Sequence, residues 1–439
     1  MSDYTSELMY RGYGAGDDLG NTGFAAPQAG QRLGLLFCAG FIWGLITAFS
    51  LFAEGGGVVI GIASVVDIVA LVIAMVLVRA AGGTFSAGWT HFITGMFIIH
   101  CAIGTMSAFV FTPNILYVIK MLLFLPALAT VIALTSLGWR PVNAFRAGVT
   151  LAGVVFVIYH FCYIDFSQLL YAKYRLFLYL NPNGVAYISM MTGLSLLNYI
   201  VSRVRERRGT LGILIFTALV GACAVVCFST KSRNAALAFA VGILVTISLA
   251  ARKGRALLVV LVIGLLAWVA LPGVFSDAAD NISDLYELHS SARDISGGTG
   301  RFDLWGRIIT QGILPHPIIG IGPGTEFSDE FIEIGNPHNA ILLCLLETGI
   351  LGTIPVLVVL GLCGRRAVTY FADPRYHFAI VFLAAGLSES LAEVMLFSIG
   401  NPAGLLFLLS MAVLTSKQLA RNEAGTLMHS SEFPQELAY

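Results

Sequence analysis

Apolar residues run along this chain in blocks near the roughly 20-residue length that an α-helix needs to cross a bilayer core, with polar stretches between them. The blocks predict helices over residues 34–53, 57–78, 89–111, 114–136, 143–164, 183–201, 210–228, 234–251, 256–272, 339–362, 377–395 and 397–416. The tenth is open to a tilt or a kink. Only the tight polar stretch from Ser398 to Pro402 divides the last two, so the count stands at eleven or twelve. Barrel strands would be shorter and would alternate apolar with polar positions. The pattern therefore predicts an all-α, polytopic integral membrane protein of about twelve helices.

The polar segments divide the chain. Residues 1–33 are Gly-rich and polar and lack the apolar core of a signal peptide, so they are read as a cytoplasmic tail. Helices one to nine occupy 34–272, a long polar loop 273–338, helices ten to twelve 339–416, and a second cytoplasmic tail 417–439. Lysine and arginine set the orientation. With the N-terminus in the cytoplasm, 17 of them fall inside and 7 outside, with Lys120 left in a span. The densest clusters, "RVRERR" and "ARKGR", both fall inside. Both termini are thus expected in the cytoplasm and residues 273–338 on the outer face.

Long structureless loops are uncommon unless they carry a function. This one contains "TGRFDLWGRIITQGIL", in which Phe302, Trp305, Ile309 and Ile313 recur at helical spacing. The spacing predicts an amphipathic helix on the outer leaflet, with Thr299 as its N-cap. The Gly/Pro-rich stretch "HPIIGIGPGTEF" reads as a turn region, and it leads to Pro337, His338, Asn339 and the tenth span.

Composition narrows the chemistry. The chain is 57% hydrophobic and 11% charged, against about 25% charged in soluble proteins. The formal net charge is zero, which gives no pull toward nucleic acid. Cys223 and Cys227 lie four apart on one helical face and read as small core residues; there is no CxxC pair and no disulfide framework. Asp277, Asp280, Asp284 and Asp303 are scattered along a polar loop, not grouped at ligand spacing. No Walker loop or dinucleotide fingerprint occurs. No metal and no cofactor are expected.

Outside arginines run against the charge bias, and three stand close to a span or a loop helix. Arg233 lies in "STKSRNAALAF", Arg175 in "AKYRLFLYLNPNG" before the sixth span, and Arg301 opens the loop helix. A guanidinium holds a phosphate through two parallel hydrogen bonds. A helix N-terminus at Ser232–Asn234 adds attraction for anions. The competing reading is an anchor to lipid headgroups by snorkelling. His338 has two readings as well. One is an interfacial histidine bonded to Asn339 or water. The other is a general base, since an unperturbed imidazole, pKa about 6.5, is mostly neutral near pH 7. Glu347 in the tenth span, and Glu389 and Glu393 at the end of the eleventh, either line a substrate path or cap helices. Asp67 and Lys120 lie inside spans, where ionisable groups suggest function; they read first as a structural pair or as contacts to a central cavity, and as a proton relay they carry the alternative of a transporter or flippase.

"STKSRNAALAF", "GRFDLWGRIITQGILPHPIIGIGPGTEF" and "PHNAILLCLLETGILG" resemble the three signature blocks of the bacterial O-antigen ligase, O-antigen polymerase and exopolysaccharide polymerase superfamily. The resemblance covers about the C-terminal half; the earlier spans match by hydropathy only. It implies a GT-C-like glycosyltransferase in the bacterial inner membrane that takes a glycan from undecaprenyl pyrophosphate at the periplasmic face and needs no metal. By position, Arg233 and Arg301 match the arginines that hold the pyrophosphate, Arg175 more weakly, and His338 matches the histidine that activates the acceptor. Asn339 and Glu347 are carried over as acceptor path or support. The blocks lean toward a polysaccharide polymerase, with ligation to a lipid A-core acceptor as the alternative. The implied partners are the lipid-linked oligosaccharide donor, a glycan or lipid A-core acceptor, the bilayer, and a chain-length regulator.

Overall fold

The structure is a computed structural model that describes residues 29–50, 59–89, 91–111, 115–167, 176, 182–207, 209–251, 301–324, 337–391, 393 and 401–419. All regular structure among these residues is helical: α1 (Ala29–Ser50), α2 (Val59–Ala80), α3 (Phe85–Trp89), α4 (Phe92–Val110), α5 (Ile115–Thr135), α6 (Trp139–Phe161), α7 (Pro182–Arg205), α8 (Thr210–Ser229), α9 (Arg233–Ala250), α10 (Arg301–Arg307), α11 (Ala340–Thr369), α12 (His377–Ser390) and α13 (Pro402–Thr415). Eight helices among the described residues are long and apolar enough to cross a membrane, and α13 is a shorter apolar helix. The chain is an all-α polytopic membrane protein. Every predicted span except the ninth coincides with a helix. The ninth, 256–272, lies outside the described residues. So do residues 1–28, 252–300 (with Thr299), 325–336 and 420–439.

Burial follows from composition. A helix that is apolar all round belongs inside a bundle, and α13 is buried from Pro402 to Thr415. Helix α7 is buried from Val185 to Leu196, and α12 packs beside both. Thr150 Oγ1 shares a 2.7 Å hydrogen bond with Ser195 Oγ in this interior, tying α6 to α7. Helices α1 and α6 meet through small residues. A Cβ on Gly40 would strike the Phe145 carbonyl, and one on Gly148 the Phe37 carbonyl. Such close backbone approach is how membrane helices associate without a hydrophobic drive between them. Cys223 and Cys227 are both buried on one face of α8, as their spacing predicted.

One expectation needs correction. Helix α10 runs into a π turn, Ile308–Ile313, closed by a 2.8 Å bond from Leu314 N to Ile309 O. The wider turn rotates the register. It brings Ile313 onto the side of Leu304 and Ile308, where the three pack with Ile321 and Leu346. Phe302 and Ile309, which the 3.6-residue spacing had grouped with Ile313, are 49% and 40% exposed, on the side away from the protein.

Candidate functional site

The site is assembled around a break in α11. Gly349, inside this helix, has φ 59° and ψ −165°, a conformation that is essentially glycine-only. A break leaves backbone carbonyls and N–H groups without partners, and a bilayer interior supplies none. Here residues 317–322 supply them. Ile321 N donates to Leu346 O (2.8 Å) and Gly322 N to Glu347 O (3.0 Å), while Ile350 N donates to Pro317 O (2.9 Å) and Leu351 N to Ile318 O (3.1 Å). Glu347 adds a clasp, its Oε1 accepting from Gly324 N at 3.1 Å. Ser107 of α4 donates to Gly320 O at 3.0 Å. The fit requires glycines on both sides: Gly320 has φ 69°, and a Cβ there would come within 2.6 Å of Thr348 N. The stretch expected as a turn region is one, and it also completes the hydrogen bonding of α11. His316, also read as part of a turn, stacks its ring edge on Phe111 at 4.6 Å.

His338 sits just before α11. Asn339 is the N-cap: its Oδ1 accepts from Ile341 N and Leu342 N, both at 3.0 Å, and its Nδ2 donates to Leu391 O at 2.8 Å. On the other side, Trp305 Nε1 of α10 donates to Pro337 O at 2.7 Å. Between these two anchors His338 adopts φ 48°, uncommon for a residue with a side chain. Its Nδ1 lies 3.2 Å from Glu393 Oε2. The second oxygen of that carboxylate, Oε1, accepts from Asn183 Nδ2 at 2.6 Å. Glu393 is 3% exposed and the His338 side chain 43%. A buried carboxylate thus backs an accessible imidazole. The hydrogen-bond partner weighed for His338, Asn339, is instead engaged with the helix.

Of the three arginines, the structure describes Arg233 in full and Arg301 by its backbone. Arg233 is the first residue of α9 and is exposed. Its neighbour Ser232 is the N-cap by position, but its hydroxyl makes no capping bond. Lys231, with φ 54°, is half-buried, and burial holds its pKa below the ordinary lysine value. The preceding helix α8 ends at Ser229, whose carbonyl accepts from Leu176 N at 2.9 Å. Arg175, next to Leu176, lies outside the described residues. Glu389 of α12 lies within electrostatic reach of Tyr187 of α7 and Cys227 of α8, so the ends of these three helices converge. Arg301 is the first residue of α10; its side chain lies outside what the structure describes. It stands four residues before Trp305, a rise of about 6 Å along the helix, and Trp305 touches Pro337.

Asn183 has a sequence signal of its own, since "NPNG" with Pro182 opening α7 marks a helix start. Glu393, by sequence a path or cap residue, is a hydrogen-bond partner of His338. Lys120, weighed for transport, has its Nζ 5.8 Å from the centre of the Tyr117 ring, the ring that a Cβ on Gly324 would strike.

Residues 217–357 match the family model described as O-antigen ligase. The match spans α9, α10, the inserted segment, His338 and the broken part of α11. It supports the O-antigen ligase/polymerase superfamily, and with it a membrane enzyme of that type acting on lipid-linked glycan. Asn183 and Glu393 lie outside the matched region. No curated protein matches the chain.

Proposed function

We propose that the chain is a membrane glycosyltransferase that polymerises undecaprenyl-pyrophosphate-linked glycan units at the periplasmic face of the bacterial inner membrane, with both termini cytoplasmic. An acceptor hydroxyl gives its proton to His338 while its oxygen attacks the anomeric carbon of the donor. The bond from that carbon to the lipid pyrophosphate breaks, and its electron pair leaves with the diphosphate. Arg233 and Arg301, with Arg175 as a weaker third, hold the diphosphate and offset the charge that develops on it. A guanidinium stays protonated at any cellular pH, so these residues can do the work a divalent metal does in other diphosphate-leaving reactions. The observation that carries the reading is the accessible His338 imidazole, backed by a buried carboxylate, within a region that matches the O-antigen ligase family. Asn339 and Glu347 support it, one as the cap beside His338 and the other as a clasp on the inserted segment.

The family description favours a second reading, ligation of the glycan to a lipid A-core acceptor, with the same donor and chemistry. A transporter reading would use the broken helix to present its backbone groups to a substrate. In α11, four of those groups bond to residues 317–322 of the same chain, which argues for a structural break.

The experiment is purified protein in nanodiscs with a lipid-pyrophosphate oligosaccharide donor, excess EDTA, and either a second lipid-linked glycan or lipid A-core as acceptor. Turnover is expected with EDTA present. His338→Ala is expected to lose about 10²–10⁴-fold, the usual contribution of a general base, while inserting normally. Unchanged turnover in His338→Ala would refute the base assignment. Loss of turnover in EDTA that Mg²⁺ or Mn²⁺ restores would refute the metal-free reading. Elongation of lipid-linked glycan, against transfer to lipid A-core, separates polymerase from ligase.

A further inference from the structure

We propose that Glu393, fixed by Asn183, is the positioning residue that sets the tautomer of His338, so that Nε2 is the atom that accepts the acceptor's proton. This rests on the glycosyl-transfer reading of the same site.

The argument starts from what each group can do. An ionised carboxylate only accepts hydrogen bonds. Both oxygens of Glu393 are engaged, Oε1 by Asn183 Nδ2 and Oε2 by His338 Nδ1. The proton of the neutral imidazole therefore resides on Nδ1, and its lone pair is on Nε2. Glu393 is 3% exposed, so it exchanges little with water, whereas the imidazole at 43% is within reach of a bulky hydroxyl substrate. The three partners come from separate places: Asn183 from the start of α7, Glu393 from just after α12, and His338 from the entrance to α11. Hydrogen bonds at Pro337 and Asn339 hold the backbone on either side of His338 in its unusual left-handed conformation. Backbone and ring are thus both held before substrate arrives, as a preorganised base needs.

During transfer the acceptor O–H bond breaks and its proton moves to Nε2. The oxygen forms the new bond to the anomeric carbon, and the carbon–oxygen bond to the pyrophosphate breaks with its electron pair. Glu393 takes no proton. Its negative charge stabilises the imidazolium that forms, as a buried aspartate does in hydrolytic triads.

Asn183 makes the test sharp. It donates to Oε1, the carboxylate oxygen other than the one that faces His338. In Glu393→Gln the amide oxygen is therefore held toward Asn183, and the NH₂ group faces His338 Nδ1. A donor there favours the tautomer protonated on Nε2, which removes the lone pair from the reacting nitrogen. Glu393→Gln is expected to lower kcat by about 10²-fold or more, within the range of general-base contributions, with donor KM little changed. Asn183→Ala, which keeps the carboxylate but frees it, is expected to lose less. In the His338→Ala background, Glu393→Gln is expected to cost nothing further. Solid-state ¹⁵N NMR of histidine-labelled protein, with His338 assigned by difference from His338→Ala, is expected to show Nδ1 protonated in the wild type and Nε2 protonated in Glu393→Gln.

If His338→Ala retains turnover, the glycosyl-transfer reading of His338 fails, and this proposal with it. If His338→Ala is inactive but Glu393→Gln keeps its kcat, the positioning role alone is overturned. A wild-type His338 protonated on Nε2 overturns it as well, whatever the stability of the variants.

Discussion

Replacing Gly349 with alanine tests whether residues 317–322 complete α11. The three atoms nearest the added Cβ are all backbone, at Ile318 and at Ile319 N, the latter 2.5 Å away. No side chain can rotate aside, so the inserted segment must withdraw or α11 must rebuild its turn. Withdrawal breaks the four hydrogen bonds that join the segment to the helix. At a net worth of roughly 1 kcal/mol each, these amount to about 4 kcal/mol. A residue with a Cβ at φ 59° adds about 1–3 kcal/mol of backbone strain. Buried groups left without partners in an apolar setting raise the cost further. The assay is the temperature at which the detergent-solubilised protein aggregates, followed by size exclusion, alongside glycan transfer. Gly349→Ala is expected to lower that temperature sharply and to abolish transfer. Gly320→Ala, which disturbs the same contact from the other side, should do likewise. Gly361→Ala is the control: it lies in the same helix, where nothing stands within 4 Å of the new Cβ, and it should be neutral. Wild-type aggregation temperature and wild-type transfer in Gly349→Ala would refute the reasoning.

Arg233→Lys and Arg301→Lys are each expected to lose transfer severely, because an ammonium replaces two parallel hydrogen bonds with one point charge. One lost charge-assisted bond, about 1.5–3 kcal/mol, corresponds to roughly ten- to hundredfold in rate. Near-normal rates with lysine would show that the site supplies charge alone. Reporters fused at residues 205, 254 and 365 are expected to read as cytoplasmic and one at 295 as periplasmic. A cytoplasmic reading at 295 would put His338 on the wrong side for a translocated donor.

The helices were legible because a bilayer leaves a chain few ways to satisfy its backbone, and that constraint writes itself as apolar length. His338, Arg233 and Asn339 stood out because polar groups are scarce near the spans. The partners of His338 did not stand out. Glu393 is 55 positions away from it, and Asn183 is 210 positions from Glu393; no local period links them. The register of α10 was misread for a different reason. Positions 302, 305, 309 and 313 fit an ideal helix, and nothing in the side chains announces the wider turn at 308–313. The Gly/Pro composition of "HPIIGIGPG" was read correctly as irregular backbone. That its carbonyls and N–H groups answer a break at Gly349 depends on two segments meeting in space, and hydropathy is blind to that.

The hydrogen bonds between residues 317–322 and 346–351 also bear on how this protein can be rebuilt. Exchanging the long loop before α11 with that of a relative is an obvious way to test acceptor choice. A graft ending at the membrane border before Ala340 would pair a foreign insert with a resident helix cut to fit another backbone. Residues 316–351 should therefore travel together as one cassette, with Ser107 and Tyr117, which touch Gly320 and Gly324, checked for fit at the receiving end.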